Sequence, residues 1–234
     1  MKINLNVLPK IEQNWSISKI IKECPPSSWV SAFNDAKEEL EHISNKLDVE
    51  KVFGDYFPKK VDLFNAFKFC KLEDVKVIIL KNEPYPTKDI GLAYSVGRND
   101  EIPPVLYNIY QELKREYIDF KIPQHGDLRF WALQGVLLLH KSLTCSTKKS
   151  HAKYELWMGM HNRIFKAIAA VNPYVIVLLW GDVQAMASML PDSFIQLTAD
   201  SPAKYQSKFY GCNHFIQVNE LLVKQNKKPI DWQV

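Results

Sequence analysis

The sequence predicts an α/β fold built around a short, mostly parallel sheet, and two observations carry the prediction. Three runs rich in β-branched and aliphatic residues, 75–80, 135–139 and 174–180, have the length and composition of strands. They are separated by helix-length stretches, among them 104–117 and 157–170, and strands that alternate with helices form parallel sheets with helices on their faces. With 234 residues, 47% of them hydrophobic, the chain has the material for one large core.

In chain order, residues 1–27 are polar and irregular and close on Cys24, Pro25 and Pro26, which predicts an N-terminal extension followed by a single domain over 28–234. Trp29, Phe33, Ala36, Leu40 and Ile43 then recur on one helical face and predict a helix packed by that stripe. The run 174–180 is the longest apolar stretch; far too short to cross a bilayer, it reads as a buried strand. A further strand over 194–197 leads to Thr198. Ligands of open parallel sheets sit beyond the carboxyl ends of the strands, so the residues after Leu80, Leu139, Trp180 and Leu197 are where a site is expected.

A formal net charge of +4 and a pI of about 8.7 permit contact with a polyanion without establishing it. Cys24, Cys70, Cys145 and Cys212 are widely spaced, with no CxxC pair and no Cys/His cluster at metal-ligand spacing, so neither a metal nor another cofactor is expected. No basic segment, apolar run and cleavage site combine at the N-terminus. The expectation is a cytoplasmic monomer with reduced cysteines and no membrane association.

The expected strand ends carry distinctive residues. Lys81, Asn82, Glu83, Pro84, Tyr85 and Pro86 follow the first strand, with Gly91 to Val96 shortly after; His140 to Thr144 follow the second. The others lead into Trp180, Gly181 and Asp182, and into Thr198, Ala199, Asp200, Ser201 and Pro202. In order and spacing these stretches resemble the family-1 uracil-DNA glycosylase pattern VILGQDPYH, GLCFSV, PPSL, HGDLxxWAxQGVLLLN, LLWG, AHPSP, FFGCxHF and KKPIDW. The matching residues are 77–86, 91–96, 103–106, 125–140, 178–181, 199–202, 209–215 and 227–232. The resemblance implies a three-layer αβα fold and an enzyme that grips DNA, extrudes one nucleotide and hydrolyses its glycosidic bond without a metal. Extrusion is required because a stacked base cannot be enclosed by a pocket. Trp131, Gly135, Trp180, Gly211 and Cys212 read as folding residues within these motifs.

Several site positions depart from the pattern. Glu83 stands where the family has its water-positioning Asp, and its carboxylate is suited to orienting water and stabilising a cationic sugar. Asp200 replaces the catalytic His that donates to the departing pyrimidine; it can donate only if protonated, as proximity to Glu83 would favour. Asn82, Tyr85, Tyr94 and His140 are the base-binding candidates. Tyr94 matches the aromatic on which the base stacks, and Tyr85 the ring that excludes substituents at C5, although its loop is shorter here and carries Pro86 in place of a His. His140 replaces the Asn that reads uracil, exchanging an amide with donor and acceptor side by side for an imidazole with its nitrogens on opposite sides of a ring.

The serines that pinch phosphates correspond to Val105, Asp182, Ser201 and Lys204, and the wedge Leu to Ala203, with Tyr205 nearby and able to insert. Ser201, Lys204 and Tyr205 are therefore the DNA-binding candidates. A carboxylate accepts from the exocyclic amine of cytosine, which uracil lacks, so His140 and Asp200 together favour a cytosine-like base. The expectation is a monofunctional glycosylase acting on DNA with a flipped modified pyrimidine, such as the modified cytosines of some phages, in a defensive role. The alternatives are a conventional or impaired uracil-DNA glycosylase, and a noncatalytic DNA- or protein-binding module.

Overall fold

The computed structural model describes residues 11–12, 14–50, 56–146, 154–204 and 207–234. Its strands are β1 (Tyr56–Phe57), β2 (Val77–Lys81), β3 (Val136–His140), β4 (Cys145–Ser146), β5 (Ile176–Trp180) and β6 (Ile195–Ala199). The central sheet has the order β3-β2-β5-β6 with every pair parallel, and β1 pairs antiparallel with β4 apart from it. In β3 and β5 every residue is buried, and in β2 all but Lys81 are, because helices cover the sheet. The edge strand β6 instead alternates between half-buried and exposed. Each fully buried aliphatic side chain contributes about 1.5–3 kcal/mol, which holds the central register in place.

The helices are α1 (Ile17–Glu23), α2 (Val30–Asp35), α3 (Lys37–Glu50), α4 (Asn65–Phe69), α5 (Pro104–Glu116), α6 (Arg129–Leu133), α7 (Tyr154–Val171) and α8 (His214–Lys224). Helix α7 buries Trp157, Met160, His161, Ile164, Phe165 and Ile168, the spacing of one helical face, and packs against α2 and α3. Thus the α/β fold with a central parallel sheet is the one expected. The strands begin one or two residues later than composition suggests. Gly135 belongs to the turn before β3, where its φ of +96° and a distance of 2.1 Å from an added Cβ to the Asp74 carbonyl oxygen both require glycine. Tyr174 lies outside β5 and is exposed.

Two expectations need correction. The stripe from Trp29 to Ile43 is wholly buried, but it is shared by a 3-10 turn (Ser27–Trp29), α2 and α3, with a break at Ala36, rather than carried by one helix. The described part of 1–27 is also packed into the core. Ser16 caps α1 by accepting from the Lys19 amide at 3.1 Å, Ile17 and Ile20 are buried, and Lys60 Nζ donates to the Trp15 carbonyl at 2.5 Å. Three isoleucines, Ile17, Ile20 and Ile21, in a polar stretch were too weak a pattern to announce that helix.

The folding residues of the motifs fasten the middle of the chain to its C-terminal segment. Trp131 Nε1 donates to the Trp232 carbonyl at 2.9 Å, with the two rings edge to face at 5.2 Å, and Trp180 Nε1 donates to His214 Nδ1 at 2.9 Å. From β2 the chain moves outward to β3, then crosses to β5 on the other side of β2. That reversal opens a crevice beyond the carboxyl ends of β2 and β5.

Candidate active site

The segment leaving β2 is fastened to its neighbour before it turns. Beyond the paired strands, the Lys141 amide donates to the Lys81 carbonyl at 2.7 Å and the Ser142 amide to the Asn82 carbonyl at 2.8 Å. Asn82 and Glu83 are half-buried at this edge. The next turn, with Thr87 at φ +70°, wraps around Asp89. Asp89 Oδ2 accepts from the Tyr85 amide at 2.9 Å and Oδ1 from the Gly91 amide at 2.7 Å, so one buried carboxylate closes the shortened loop. An isolated bridge from Asp89 to Val96 ties it to the following segment.

His140 ends β3 opposite Lys81 and is 1% exposed. Its Nε2 stands 3.2 Å from Asp89 Oδ2, within ion-pair range but without hydrogen-bond alignment. Burial lowers the pKa of the imidazole, and the attraction of Asp89 opposes this only in part, so His140 is neutral near pH 7. Behind it, His161 places Nε2 at 2.9 Å from the His140 carbonyl and Nδ1 at 2.8 Å from the Trp157 carbonyl. His140 is thereby held by its backbone as well as its ring.

Tyr94 adopts φ +66°, a conformation that costs a non-glycine residue about 1–3 kcal/mol and persists where the surroundings enforce it. Here its hydroxyl donates to the Leu80 carbonyl at 3.4 Å and its ring lies 5.7 Å from that of Trp180, placing it between the ends of β2 and β5. Tyr85 is half-buried, with Lys81 Nζ 3.8 Å from its ring centroid, and the same Nζ donates to the Glu83 carbonyl. Burial pushes the Lys81 pKa down to about 8, against the pull of Asp89, Glu83 and Cys145. Glu83, Tyr85 and His140 therefore come together, with Tyr94 at the same strand end.

Asp200 occupies a different setting. Its Oδ2 accepts from the Lys208 amide at 3.0 Å, and it lines an open groove with Gln184, Gln196, Lys208, Cys212 and His214. None of Asn82, Glu83, Tyr85, Tyr94 or His140 lines that groove. The carboxylate is engaged as an acceptor, and no contact among the described residues pairs it with Glu83. Ser201 sits against the turn after β5: at Gly181, φ +69°, an added Cβ would stand 2.7 Å from the Ser201 Cβ. Ser201 Oγ accepts from the Ala203 amide at 3.2 Å, and α5 holds the loop through Asn108 Nδ2, which donates to the Pro202 carbonyl at 2.7 Å. Ala203 and Lys204 are exposed at its tip, as Asp182 is beside it, and Tyr205 lies outside the described residues.

Sequence reasoning missed Lys81 and Asp89. The first was visible as a lysine where the glycosylase pattern has glycine; the second, an isolated acid in a loop of altered length, gave no signal of its burial. Elsewhere, Glu112, Glu116 and Cys212 bring ligand atoms within 4.8 Å of one another. Glu112 is already occupied, accepting from Arg115, the Gly211 amide and the Asn213 amide. That cluster joins α5 to the turn before α8. No helix among the described residues is long and apolar enough to cross a membrane.

No protein-family model matches the chain. It is 37% identical over 205 residues to a uracil-DNA glycosylase of Francisella philomiragia, covering 85% of this chain and 93% of the relative. To that of Francisella tularensis subsp. novicida it is 38% identical over 217 residues, covering 88% and 99%. To that of Vibrio parahaemolyticus it is 36% identical, covering 88% and 96%. The crystal structure of mimivirus uracil-DNA glycosylase superposes over the whole of both chains with a TM-score of 0.81 at 22% identity, and the wild-type UNG of Nitratifractor salsuginis with 0.64 at 18%, covering 91% and 98%.

Proposed function

The chain belongs to the uracil-DNA glycosylase family, DNA glycosylases that hydrolyse the N-glycosidic bond, and we propose that its target is a noncanonical pyrimidine, a modified cytosine such as phage DNA carries, rather than plain uracil. The observation that carries this reading is the pairing of buried His140 with Asp89. A carboxylate beside Nε2 favours the tautomer with its proton there, which leaves Nδ1 an acceptor. An acceptor at the base-reading position suits the exocyclic amine of cytosine and opposes the O4 of uracil.

On this reading the extruded base lies on Tyr94, Asn82 and Tyr85 flank it, and Glu83 orients the attacking water and stabilises the cationic sugar left as the base departs. Asp200, in a groove that none of these residues lines, takes no part in reading the base. Ser201, Lys204 and Tyr205 hold the strand. The enzyme would act as a cytoplasmic monomer, and removing modified bases from invading DNA would make it a defence.

A second reading, conventional excision of uracil, is favoured by the names of the relatives and by the retained carboxylate at Glu83. The deciding experiment incubates the protein with uracil-containing DNA, unmodified DNA and phage DNA rich in modified cytosines, scoring abasic sites and released bases. Release from the phage DNA alone is expected. Uracil release alone establishes the second reading, and release from none, with DNA binding untouched by Glu83→Ala, establishes a noncatalytic binding module.

A further inference from the structure

Lys81 replaces a glycine of the family pattern, and its ammonium is folded inward, over the Tyr85 ring at 3.8 Å and onto the Glu83 carbonyl. Because Lys81 pairs in register with His140 on the adjacent parallel strand, the two side chains leave the sheet on the same face at its carboxyl end. The Tyr85 hydroxyl beside them is buried with no hydrogen-bond partner, while Nε2 of His140 faces Asp89 Oδ2 at 3.2 Å. Buried polar atoms are as a rule partnered. Such a hydroxyl, beside a half-buried ammonium turned into the site, points to a ligand bearing a complementary atom.

We propose that Lys81 and the Tyr85 hydroxyl form a subsite for an oxygen-bearing substituent, a hydroxyl or carboxylate, carried by the flipped base next to the exocyclic amine that His140 reads. This rests on the glycosylase reading above and names the chemistry of its substrate. An ammonium has three donors and no acceptor, so it holds an oxygen and gains nothing from a methyl group. Tyr85, the ring that would otherwise exclude a C5 substituent, is instead held by the cation over its face, with its hydroxyl available to the same oxygen. The charged and titratable groups facing Lys81 are Asp89, Glu83, Cys145, His140 and Tyr85. With its pKa at about 8, Lys81 is charged near neutrality and loses its charge above that value, so the preference for oxygen should fade through that window. Were Lys81 only a prop for the Tyr85 ring, removing its charge would alter the rate on every base alike.

The test compares oligonucleotides carrying a single uracil, cytosine, 5-methylcytosine, 5-hydroxymethylcytosine or 5-carboxylcytosine, with kcat and KM measured for the wild type, K81M, K81G and K81R. The wild type should favour the oxygen-bearing cytosines over 5-methylcytosine by about 10- to 100-fold, the worth of a charge-assisted hydrogen bond, with most of the difference in KM. K81M and K81G should lose that ratio, K81R should retain part of it, and the wild type should lose it between pH 7 and pH 9.5. The last measurement needs no variant to fold. Equal release of 5-methyl- and 5-hydroxymethylcytosine by the wild type overturns the subsite while leaving the modified-cytosine reading standing. A parallel binding assay uses oligonucleotides whose 2′-fluorinated sugar resists hydrolysis. Tighter binding of the 5-hydroxymethyl form, lost in K81M, upholds the subsite even if no base is released, and equal binding overturns it.

Discussion

Replacing Asp89 by asparagine keeps the shape of the side chain and removes its charge, which isolates what the carboxylate does. In the wild type its two oxygens accept from the Tyr85 and Gly91 amides at 2.9 and 2.7 Å, and Oδ2 lies 3.2 Å from His140 Nε2. An asparagine has one oxygen, so one amide keeps its acceptor and the other faces an NH2 group. A buried donor left unsatisfied costs about 1–3 kcal/mol, and the surviving bond is also weakened by the loss of charge, for a total of about 2–4 kcal/mol. In a chain of this size each kcal/mol shifts Tm by roughly 2–4 °C, so D89N should melt about 4–16 °C lower. Thermal denaturation followed by far-UV circular dichroism measures the shift, and amide hydrogen exchange locates it: protection should fall at Tyr85 and Gly91 and persist in β5. Unchanged melting together with unchanged exchange at those two amides would show that Asp89 does not close the loop.

Glu83→Gln should reduce base release by about 100- to 10,000-fold, the usual contribution of a positioned acid or base, while DNA affinity measured by fluorescence anisotropy stays within a factor of two or three. Lys204→Ala should weaken binding to all sequences alike and reduce the slope of log affinity against log salt by about 1, read from titrations at several salt concentrations. Glu116 yields a stability prediction. Burial raises its pKa to about 8 and the neighbouring Glu112 adds to the rise, so the folded state holds a proton that the unfolded chain releases near the ordinary carboxylate value of 4.5. Its contribution is therefore fully present below that lower value and is lost as pH rises through about 8. Denaturant midpoints should fall across this window in the wild type and fall less in Glu116→Gln, which is uncharged throughout.

The legibility of this chain divides along the physics of its two kinds of position. In β2, β3 and β5 the runs VIIL, VLLL and IVLL are wholly buried and covered on both faces, so they admit few alternatives and announce themselves by composition. His140 ends β3, and once that strand is placed its position follows, whatever residue fills it; Tyr94, in a turn well beyond β2, was legible only through its motif. Lys81 was legible as a substitution but not as a contact, because a lysine at a strand end ordinarily extends into solvent and only the fold turns its ammonium over Tyr85. Asp89 is the clearest case of what a linear sequence withholds. Its partners are two amides of its own loop and a histidine some fifty residues on, and no periodicity or spacing rule joins them. Asp200 shows another limit: its place in the motif says nothing of the acceptor bond its oxygen makes with Lys208, eight residues downstream in a loop whose path the motif does not specify. Loop path is thus the quantity a motif leaves open. Where the loop is clamped from within, as by Asp89, the residues opposite it on the sheet acquire partners that the strands alone do not imply. The shortened loop and the exchanged base reader at His140 are on that account one change rather than two: a single carboxylate both closes the loop and sets the imidazole, and substituting either residue alone should disturb both.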